Sequence, residues 1–319
     1  MKRALKISVI LTCVLVITLN VLAFNHARSF THFSNNGRLI HNAGSLGFWV
    51  KALLLFTGVK MPRPENRCAP SELSENSVQF FIQTSDNAEL DAWYCNLGEE
   101  SPLVILFHGY AGEKTTLLSE AQLFLKRGYS VLLVDFRGSG GSSESYTTVG
   151  ADEAEDVLAT YQFYKNHMKH KNVYFYGQSM GAAALLRAIH LYDVDPDAII
   201  VEGVFDSMLS TVAHRFEELN APSFPGAHIL LFWGGCQSGF NPFKHNPSDY
   251  AVSVGCPALF LHGEDDPKAP LNEVLNVFNP ITTEKYLVVF PDTVHEPCFK
   301  SNRELWSDSV FTFLVNYKG

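Results

Sequence analysis

The chain has 319 residues, of which 46% are hydrophobic and 18% are charged, and its formal net charge at pH 7 is −9. These values are those of a globular protein with enough apolar residues for a large core, and the length suits one α/β domain of roughly 250 residues. Nucleic-acid binding needs a basic stripe that contacts the phosphates, and the acidic balance argues against such a partner.

The first 24 residues form a segment of a different kind. Lys2, Arg3 and Lys6 precede an apolar run over residues 7–24, which is the pattern of a secretory signal or a membrane anchor. The run has about 18 residues, near the lower limit for spanning a bilayer. We therefore expect a signal peptide or a retained anchor over residues 1–24, with a buried core helix as the remaining alternative.

The basic residues before this run also predict the orientation of the chain. Lys and Arg are enriched on the cytoplasmic side of membrane segments. The remainder of the chain is therefore expected to be membrane-anchored and to face the periplasm or extracytoplasmic side, or to be secreted if the segment is cleaved after Ala23. A membrane is thus an expected partner, through the N-terminal segment.

Residues 25–76 are interpreted as a lead-in segment, with a possible helix around residues 48–56 and a proline-rich stretch at residues 61–64. Five cysteines follow the N-terminal run, at positions 68, 95, 236, 256 and 298. An odd number leaves at least one thiol free, and the spacing fits no metal site. We expect free, buried cysteines and no bound metal.

From residue 77 to residue 319, short apolar strands alternate with helices. Residues 78–84 and 90–95 alternate like half-buried antiparallel strands, whereas residues 103–107 form a continuous apolar run, as in a strand covered on both faces. The other predicted strands are residues 130–134, 173–176, 198–201, 258–261 and 286–290. The predicted helices are residues 116–127, 152–167, 180–191, 206–219, a helix after Pro270, and a last helix from about 301 to 317. This order predicts a doubly wound α/β domain with a mostly parallel, eight-stranded sheet.

One stretch, about 221–253, does not follow this alternation. It is rich in glycine, proline and aromatic residues, among them Phe224, Phe232, Trp233, Phe240 and Phe243. We interpret it as a cap-like insertion over the sheet whose aromatic side chains form a wall of a substrate site. A packing loop is the alternative, because aromatic residues bury area wherever they lie.

The strongest local motif is Gly177-Gln178-Ser179-Met180-Gly181, which follows an apolar strand and precedes an alanine-rich helix. In that context G-x-S-x-G predicts a nucleophile elbow, a tight strand-to-helix turn that raises the serine above the sheet. The helix N-terminus behind the serine favours a developing negative charge. The alternative is a serine that only caps the helix.

A second motif, His108-Gly109-Tyr110-Ala111-Gly112, stands at the end of the third strand. Acyl transfer needs donors for the oxyanion, and with such an elbow these are the amide after the nucleophile and one from an early loop. We therefore predict an oxyanion hole formed by the amides of Met180 and Tyr110. His108 is expected to orient this loop, with a role as general base as the alternative.

In their order, four stretches resemble the landmarks of the α/β-hydrolase superfamily. They are His108-Gly109, the loop of residues 135–142 with its D-x-R-G-x-G-x-S pattern, the elbow at residues 177–181, and His262-Gly263-Glu264-Asp265-Asp266. The chain is similar in particular to membrane-associated hydrolases of the serine-peptidase-like and lipase-like kinds. This resemblance covers residues from about 75 to 319. It implies hydrolysis of esters, thioesters or amides without a cofactor or a metal.

The same resemblance implies the acid and the base of a catalytic triad. The acid of this superfamily follows a late strand, three residues after the glycine of the H-G motif, which is Asp266 here. Asp265 is its neighbour and a close alternative, and Glu202 and Asp206 are more distant ones. His295 is the last histidine of the chain, so the order Ser179, Asp266, His295 is that of the superfamily. Thr293 and Val294 stand where many relatives have glycines, which leaves the loop conformation open.

The sequence therefore predicts a serine hydrolase, of the esterase or lipase type, that acts on a small-molecule ester or acyl substrate through an acyl-enzyme on Ser179. A serine peptidase is one alternative. A membrane-anchored scaffold without catalytic activity is another, and cofactor-free perhydrolysis on the same three residues is a third.

Overall fold

Eight strands form one sheet in the computed structural model of the protein, which describes residues 2–37 and 47–317. The strands are β1 (Val78–Gln83), β2 (Glu89–Cys95), β3 (Leu103–Phe107), β4 (Ser130–Val134), β5 (Val173–Gln178), β6 (Ala198–Glu202), β7 (Ala258–Gly263) and β8 (Lys285–Phe290). Their order across the sheet is β1-β2-β4-β3-β5-β6-β7-β8. β1 and β2 pair antiparallel, as do β2 and β4, and the remaining pairs are parallel. The predicted fold class is confirmed.

The central strands are covered on both faces, as their unbroken apolar runs predict. Every residue of β3, β4, β6 and β7 is buried. Side chains alternate between the two faces of a strand, so β3 supplies Leu103, Ile105 and Phe107 to one core cluster and Val104 and Leu106 to the other. The edge strands β1 and β8 are only partly buried.

Eleven helices occur in the described ranges. They are α1 (Lys2–Thr31), α2 (Phe48–Thr57), α3 (Leu118–Lys126), α4 (Glu153–His167), α5 (Met180–Tyr192), α6 (Met208–Glu218), α7 (Gly226–Ser238), α8 (Pro247–Tyr250), α9 (Leu271–Phe278), α10 (Cys298–Ser301) and α11 (Arg303–Val315). The buried side chains of α4, α5 and α9 pack against one face of the sheet, and those of α3 and α11 pack against the other. The helices predicted between the strands are confirmed, with ends shifted by a few residues.

The N-terminal run lies inside α1, which continues to Thr31. In the most apolar 18-residue window of α1, no residue is buried. Within the described ranges, α1 is the one helix with the length and composition to cross a membrane. The alternative of a buried core helix is therefore wrong for this segment. The helix expected around residues 48–56 is confirmed as α2.

The stretch about 221–253 contains α7 and α8 with short 3₁₀ turns between and after them. α7 packs against α1 and α6. We call these three elements, α1, α6 and α7, the cap helices. The aromatic residues of the stretch have different surroundings: Phe232 is 53% exposed, whereas the Trp233 indole donates a hydrogen bond to the Asn20 side chain of α1.

The cysteines of the described residues are all free. Cys95, Cys256 and Cys298 are buried, as expected, and burial raises the pKa of the Cys256 thiol to about 12. The expectation of burial is wrong for Cys236, which lies on the exposed side of α7, while Cys68 is partly exposed.

Candidate active site

Ser179 stands between the end of β5 and the start of α5, in a backbone conformation with φ 49° and ψ −108°. A positive φ is costly for a residue with a side chain and persists only where the surroundings impose it. Here the Ser179 amide donates a 2.7 Å hydrogen bond to the carbonyl of Glu202 on the neighbouring strand β6. The strained turn that the motif predicts is therefore present, with Ser179 at the N-terminus of α5.

The two glycines of the motif are required by close backbone packing. A Cβ on Gly177 would lie 2.7 Å from the Gly181 carbonyl oxygen, and a Cβ on Gly181 would lie 2.4 Å from that of Phe107. Both distances are shorter than real contacts of a Cβ atom. The glycines thus allow the first turn of α5 to lie directly against the end of β3 and the loop that follows it.

The three side chains predicted from chain order lie together above the sheet. Ser179 Oγ is 3.2 Å from His295 Nε2, and His295 Nδ1 is 2.7 Å from Asp266 Oδ2. Ser179 follows β5, Asp266 follows β7 and His295 follows β8, so three parallel strands bring their carboxyl ends to one edge. Hydrogen bonds of this length connect the serine hydroxyl to the carboxylate through the imidazole.

Of the two neighbouring carboxylates, Asp266 and not Asp265 contacts His295. Asp266 is 5% exposed, and its Oδ1 accepts hydrogen bonds from the amides of Lys268 and Ala269. Burial alone would raise its pKa, but the His295 hydrogen bond and charge, with the two amides, hold that pKa below its usual value. The side chain of Asp265 is exposed.

The loop before His295 contains Thr293 and Val294 and no glycine. Thr293 is fully buried, and its hydroxyl donates to the Pro291 carbonyl. The close approach occurs instead at Gly263, where a Cβ would lie 2.4 Å from the Thr293 carbonyl oxygen. The contact between this loop and the end of β7 therefore requires a glycine at position 263.

The two predicted oxyanion donors belong to segments that adjoin Ser179. Met180 is the next residue, and a Cβ on Gly109, which precedes Tyr110, would lie 3.6 Å from Ser179 Cβ. In the described part of the chain, the amides of Tyr110 and Met180 have no hydrogen-bond acceptor. Two unpaired amides beside the serine are suited to hold a developing oxyanion.

His108 stabilises the loop that carries Tyr110. Its Nε2 accepts from the Phe136 amide at 3.1 Å and its Nδ1 donates to the Gly109 carbonyl at 2.8 Å. Both ring nitrogens are thus occupied, and burial lowers the pKa of this histidine. The ring orients the loop, as expected, and has no nitrogen available for Ser179.

The D-x-R-G loop is held by buried charge pairs. Asp135 accepts from Lys114 Nζ at 2.5 Å, and Lys114 also reaches Asp91 at 2.8 Å. Arg137 pairs with Asp156 at 2.7 Å and with Asp86 at 2.7 Å. The internal charge-assisted bonds expected for Asp135 and Arg137 are present. The partner Lys114 was not foreseen, because an isolated lysine in a sequence is typical of a surface residue.

Glu202 is a second residue whose position the sequence did not reveal. Its buried carboxylate accepts hydrogen bonds below the elbow, from Tyr176 Oη, Gln178 Nε2, Trp306 Nε1 and the Cys298 amide. Burial raises the pKa of this group, and these donors partly offset that effect. As an alternative acid it does not contact His295, because its oxygens are bound to side chains of β5, to the Trp306 indole of α11 and to the Cys298 amide of α10.

An apolar cavity of about 560 Å³ opens beside Tyr110. The cap helices supply most of its lining, to which Tyr110, Thr148 and Val149 also contribute. Its volume lies within the range of small-molecule sites, ~300–1,000 Å³. Of the aromatic residues in the stretch 221–253, Phe224 and Phe240 line it. In residues 2–37 and 47–317, no cluster of His, Cys, Asp and Glu could hold a metal ion.

Residues 98–227 match the model of a hydrolase family described as serine aminopeptidase, S33. The match contains Tyr110 and Ser179 and ends before Asp266 and His295. Among solved structures, the esterase Pf2001 of Pyrococcus furiosus is similar, with a TM-score of 0.68 and 25% identity. The superposition covers 81% of this chain and 97% of the esterase.

Two curated relatives extend the similarity beyond this match. The uncharacterized protein YqkD of Bacillus subtilis is 25% identical over 241 residues, which are 74% of this chain and 79% of that protein. Lysophosphatidylserine lipase ABHD12 of Xenopus tropicalis is 28% identical over 246 residues, 69% of this chain and 61% of the lipase. The chain thus matches less than two thirds of the length of that lipase.

Proposed function

The chain belongs to the α/β-hydrolase superfamily, and on that premise we propose that it is a serine hydrolase that cleaves carboxylic esters through an acyl-enzyme on Ser179. The observation that carries the proposal is the continuous hydrogen-bonded series Ser179–His295–Asp266. Each member stands at the carboxyl end of a parallel strand, where this fold places its chemistry.

In this mechanism His295 Nε2 takes the proton of the Ser179 hydroxyl as its oxygen attacks the ester carbonyl. Asp266 holds the ring with Nδ1–H directed at its carboxylate and stabilises the imidazolium that forms. The imidazolium then returns the proton to the leaving alkoxide, which departs as an alcohol. Water, deprotonated by the same imidazole, attacks the acyl-enzyme and releases the carboxylic acid and free Ser179.

The negative charge of each tetrahedral intermediate would be held by the amides of Tyr110 and Met180. Both donors are fixed before the reaction, by the His108 loop and by the N-terminus of α5. Preorganised donors of this kind contribute about 2.7–4 kcal/mol each to the stabilisation of the transition state.

An ester with an apolar acyl group fits the cavity better than a peptide does. No aspartate or glutamate lines it, whereas recognition of a free peptide N-terminus needs an anionic group for the ammonium. The lipase ABHD12 and the esterase Pf2001 are among the similar proteins, which supports the same substrate class. The match to the serine aminopeptidase model keeps peptide hydrolysis as the second candidate.

We also propose that α1 anchors the protein in a membrane. Most of its apolar run is exposed, and no residue of its most apolar window is buried. Lys2, Arg3 and Lys6 precede that run. The enrichment of basic residues on the cytoplasmic side then orients residues 32–319 towards the extracytoplasmic side.

The proposal is tested with p-nitrophenyl esters and a fluorophosphonate probe on the full chain in detergent micelles. We expect Ser179→Ala to abolish labelling and to lower kcat by about 10⁶-fold, because the nucleophile is lost. Ser71→Ala is the matched control, since Ser71 is an exposed serine on a 3₁₀ turn that is distant in sequence from Ser179. The absence of an adduct on Ser179 in the folded wild-type protein would instead support a non-catalytic scaffold. Cleavage of aminoacyl amides faster than of esters would support the peptidase.

A further inference from the structure

One face of α1 forms a wall of the apolar cavity. The residues of this face that line it include Leu19, Leu22, Ala23, His26, Ala27 and Phe30. Their spacing of three and four residues places them on one side of a helix. Neighbouring positions such as Leu15, 58% exposed, and Val21, 48% exposed, do not line the cavity. The helix that has the length of a membrane anchor is therefore also part of the candidate substrate site.

Specific contacts hold α1 in this place. On the cap side, Trp233 of α7 donates to the Asn20 side chain at 3.0 Å and packs edge-on against the Phe24 ring. The Gln237 side chain donates to the Phe24 carbonyl at 2.8 Å. A helix that served only as a tether would need none of these contacts.

The same helix reaches the loop beside the nucleophile. The Tyr110 hydroxyl donates to the Phe30 carbonyl at 2.7 Å, so the residue with the proposed oxyanion amide is bonded to the end of α1. Arg215 lies over the rings of both Phe30 and Tyr110. The charge of the lining is thus at the Tyr110 end, and the remainder of the cavity is apolar.

The cavity lies beside the part of α1 that is proposed to be in the bilayer, which would allow a lipid to enter the cavity from the membrane. Leu19, Leu22 and Ala23 belong to the apolar run that is long enough to span the hydrocarbon core, while Phe30 lies about 10 Å beyond Ala23 at 1.5 Å per residue. Large apolar side chains are exposed close to this face, among them Leu219 at 79% and Phe224 at 73%, which also line the cavity. Surfaces of this kind mark contact with a membrane or partner.

We propose that the cavity between α1, α6 and α7 holds the acyl chain of a single-chain lipid ester, which enters from the bilayer along α1, with the ester carbonyl at Tyr110 and Ser179. This inference rests on the proposed function and adds the substrate class. It also requires that α1 is retained, because cleavage after Ala23 would remove Leu19, Leu22 and Ala23 from the wall together with the Asn20 contact to Trp233.

The test compares tryptophan substitutions on the two sides of α1. Ala23→Trp fills the cavity, whereas Leu15→Trp adds the same side chain outside its lining. The full chain, in phosphatidylcholine vesicles, is given p-nitrophenyl esters from acetate to palmitate. We expect Ala23→Trp to lower the ratio of kcat/KM for palmitate to that for acetate by about 10-fold or more, as a blocked apolar subsite does. Leu15→Trp should leave the ratio as in the wild type.

A second variant covers the case in which Ala23→Trp does not fold, as judged by fluorophosphonate labelling. Ile229→Trp fills the same cavity from α7 and should lower the ratio in the same way. An unchanged ratio in the folded variants would overturn the inference, as would intact-mass evidence that active protein lacks residues 1–23. Activity that survives Ser179→Ala would overturn the proposed function itself, so the two failures are distinguishable.

Discussion

The sheet with its loops and the cap helices are held together in different ways. Around the sheet, buried charges and hydrogen bonds fix each loop, as Lys114 does with Asp91 and Asp135. Among the cap helices, apolar side chains line a cavity and many others face outward, and no residue is buried in the most apolar window of α1. The difference indicates that polar contacts fix the loops at the carboxyl ends of the strands, whereas the cap helices enclose an apolar cavity.

Of the changes that test this comparison, the one at Asp266 should have the largest effect. Asp266→Asn keeps the size of the side chain but removes the charge and favours the wrong tautomer of His295. We expect kcat/KM for a p-nitrophenyl ester to fall by about 10⁴-fold. Asp265→Asn is the matched control, because that side chain is exposed, and it should stay within about twofold of the wild type. A comparable loss in both variants would contradict the choice of acid.

The next largest effect should appear in stability when Lys114 is replaced. Lys114→Met keeps an unbranched side chain over Trp93 but leaves Asp91 and Asp135 buried without their cation. We expect a loss of about 3–5 kcal/mol in the free energy of unfolding, the usual cost of an uncompensated buried charge. Denaturant titrations of the full chain in micelles measure this.

The comparison variant in the cap helices is Trp233→Phe. It removes the hydrogen bond to Asn20 but keeps a ring against Phe24, and such a bond contributes about 0.5–1.5 kcal/mol. If Trp233→Phe cost as much as Lys114→Met, the contrast between the two regions would not hold.

A smaller effect than that of Lys114→Met concerns His245, a buried polar residue within the stretch 221–253 that ties it to the sheet region. Nε2 donates to the Val149 carbonyl, and burial, with the charge of Arg187, lowers the pKa of His245 to about 3. Below the unfolded-state pKa of about 6.5 the unfolded chain binds a proton that the folded chain does not, so stability falls as the pH falls towards 3. Between pH 7.5 and pH 5 this residue should cost about 2 kcal/mol.

His245→Gln isolates the contribution of His245 to the pH dependence of stability. This variant lacks the titrating group. Its free energy of unfolding should therefore fall less between pH 7.5 and pH 5 than that of the wild type does, and the difference should be about 2 kcal/mol. The other buried histidines contribute equally to both proteins. Parallel pH curves for the two proteins would show that His245 is not buried in its neutral form.

Much of the fold was predictable because its signals are local. β3 and β4 begin and end at the predicted residues, since each contains a continuous apolar run and is followed by a polar residue, His108 or Asp135. α6 was expected from residue 206 but begins at Met208, because the Ser207 hydroxyl accepts from the Ser210 amide and caps the helix there. A cap depends on backbone geometry that composition does not specify.

The sequence by itself determined the elbow, the order of the three predicted site residues and an N-terminal helix of membrane length, because glycine spacing, chain order and hydropathy are all written in the chain. Only the tertiary structure decided that Asp266 and not Asp265 faces His295, that Lys114 and Glu202 are buried partners of the site, and that one face of α1 lines the cavity. These features arise where elements distant in sequence meet, and the packing of α1 against α7 and Tyr110 depends on contacts across 80 to 213 residues of chain. No local pattern records such contacts.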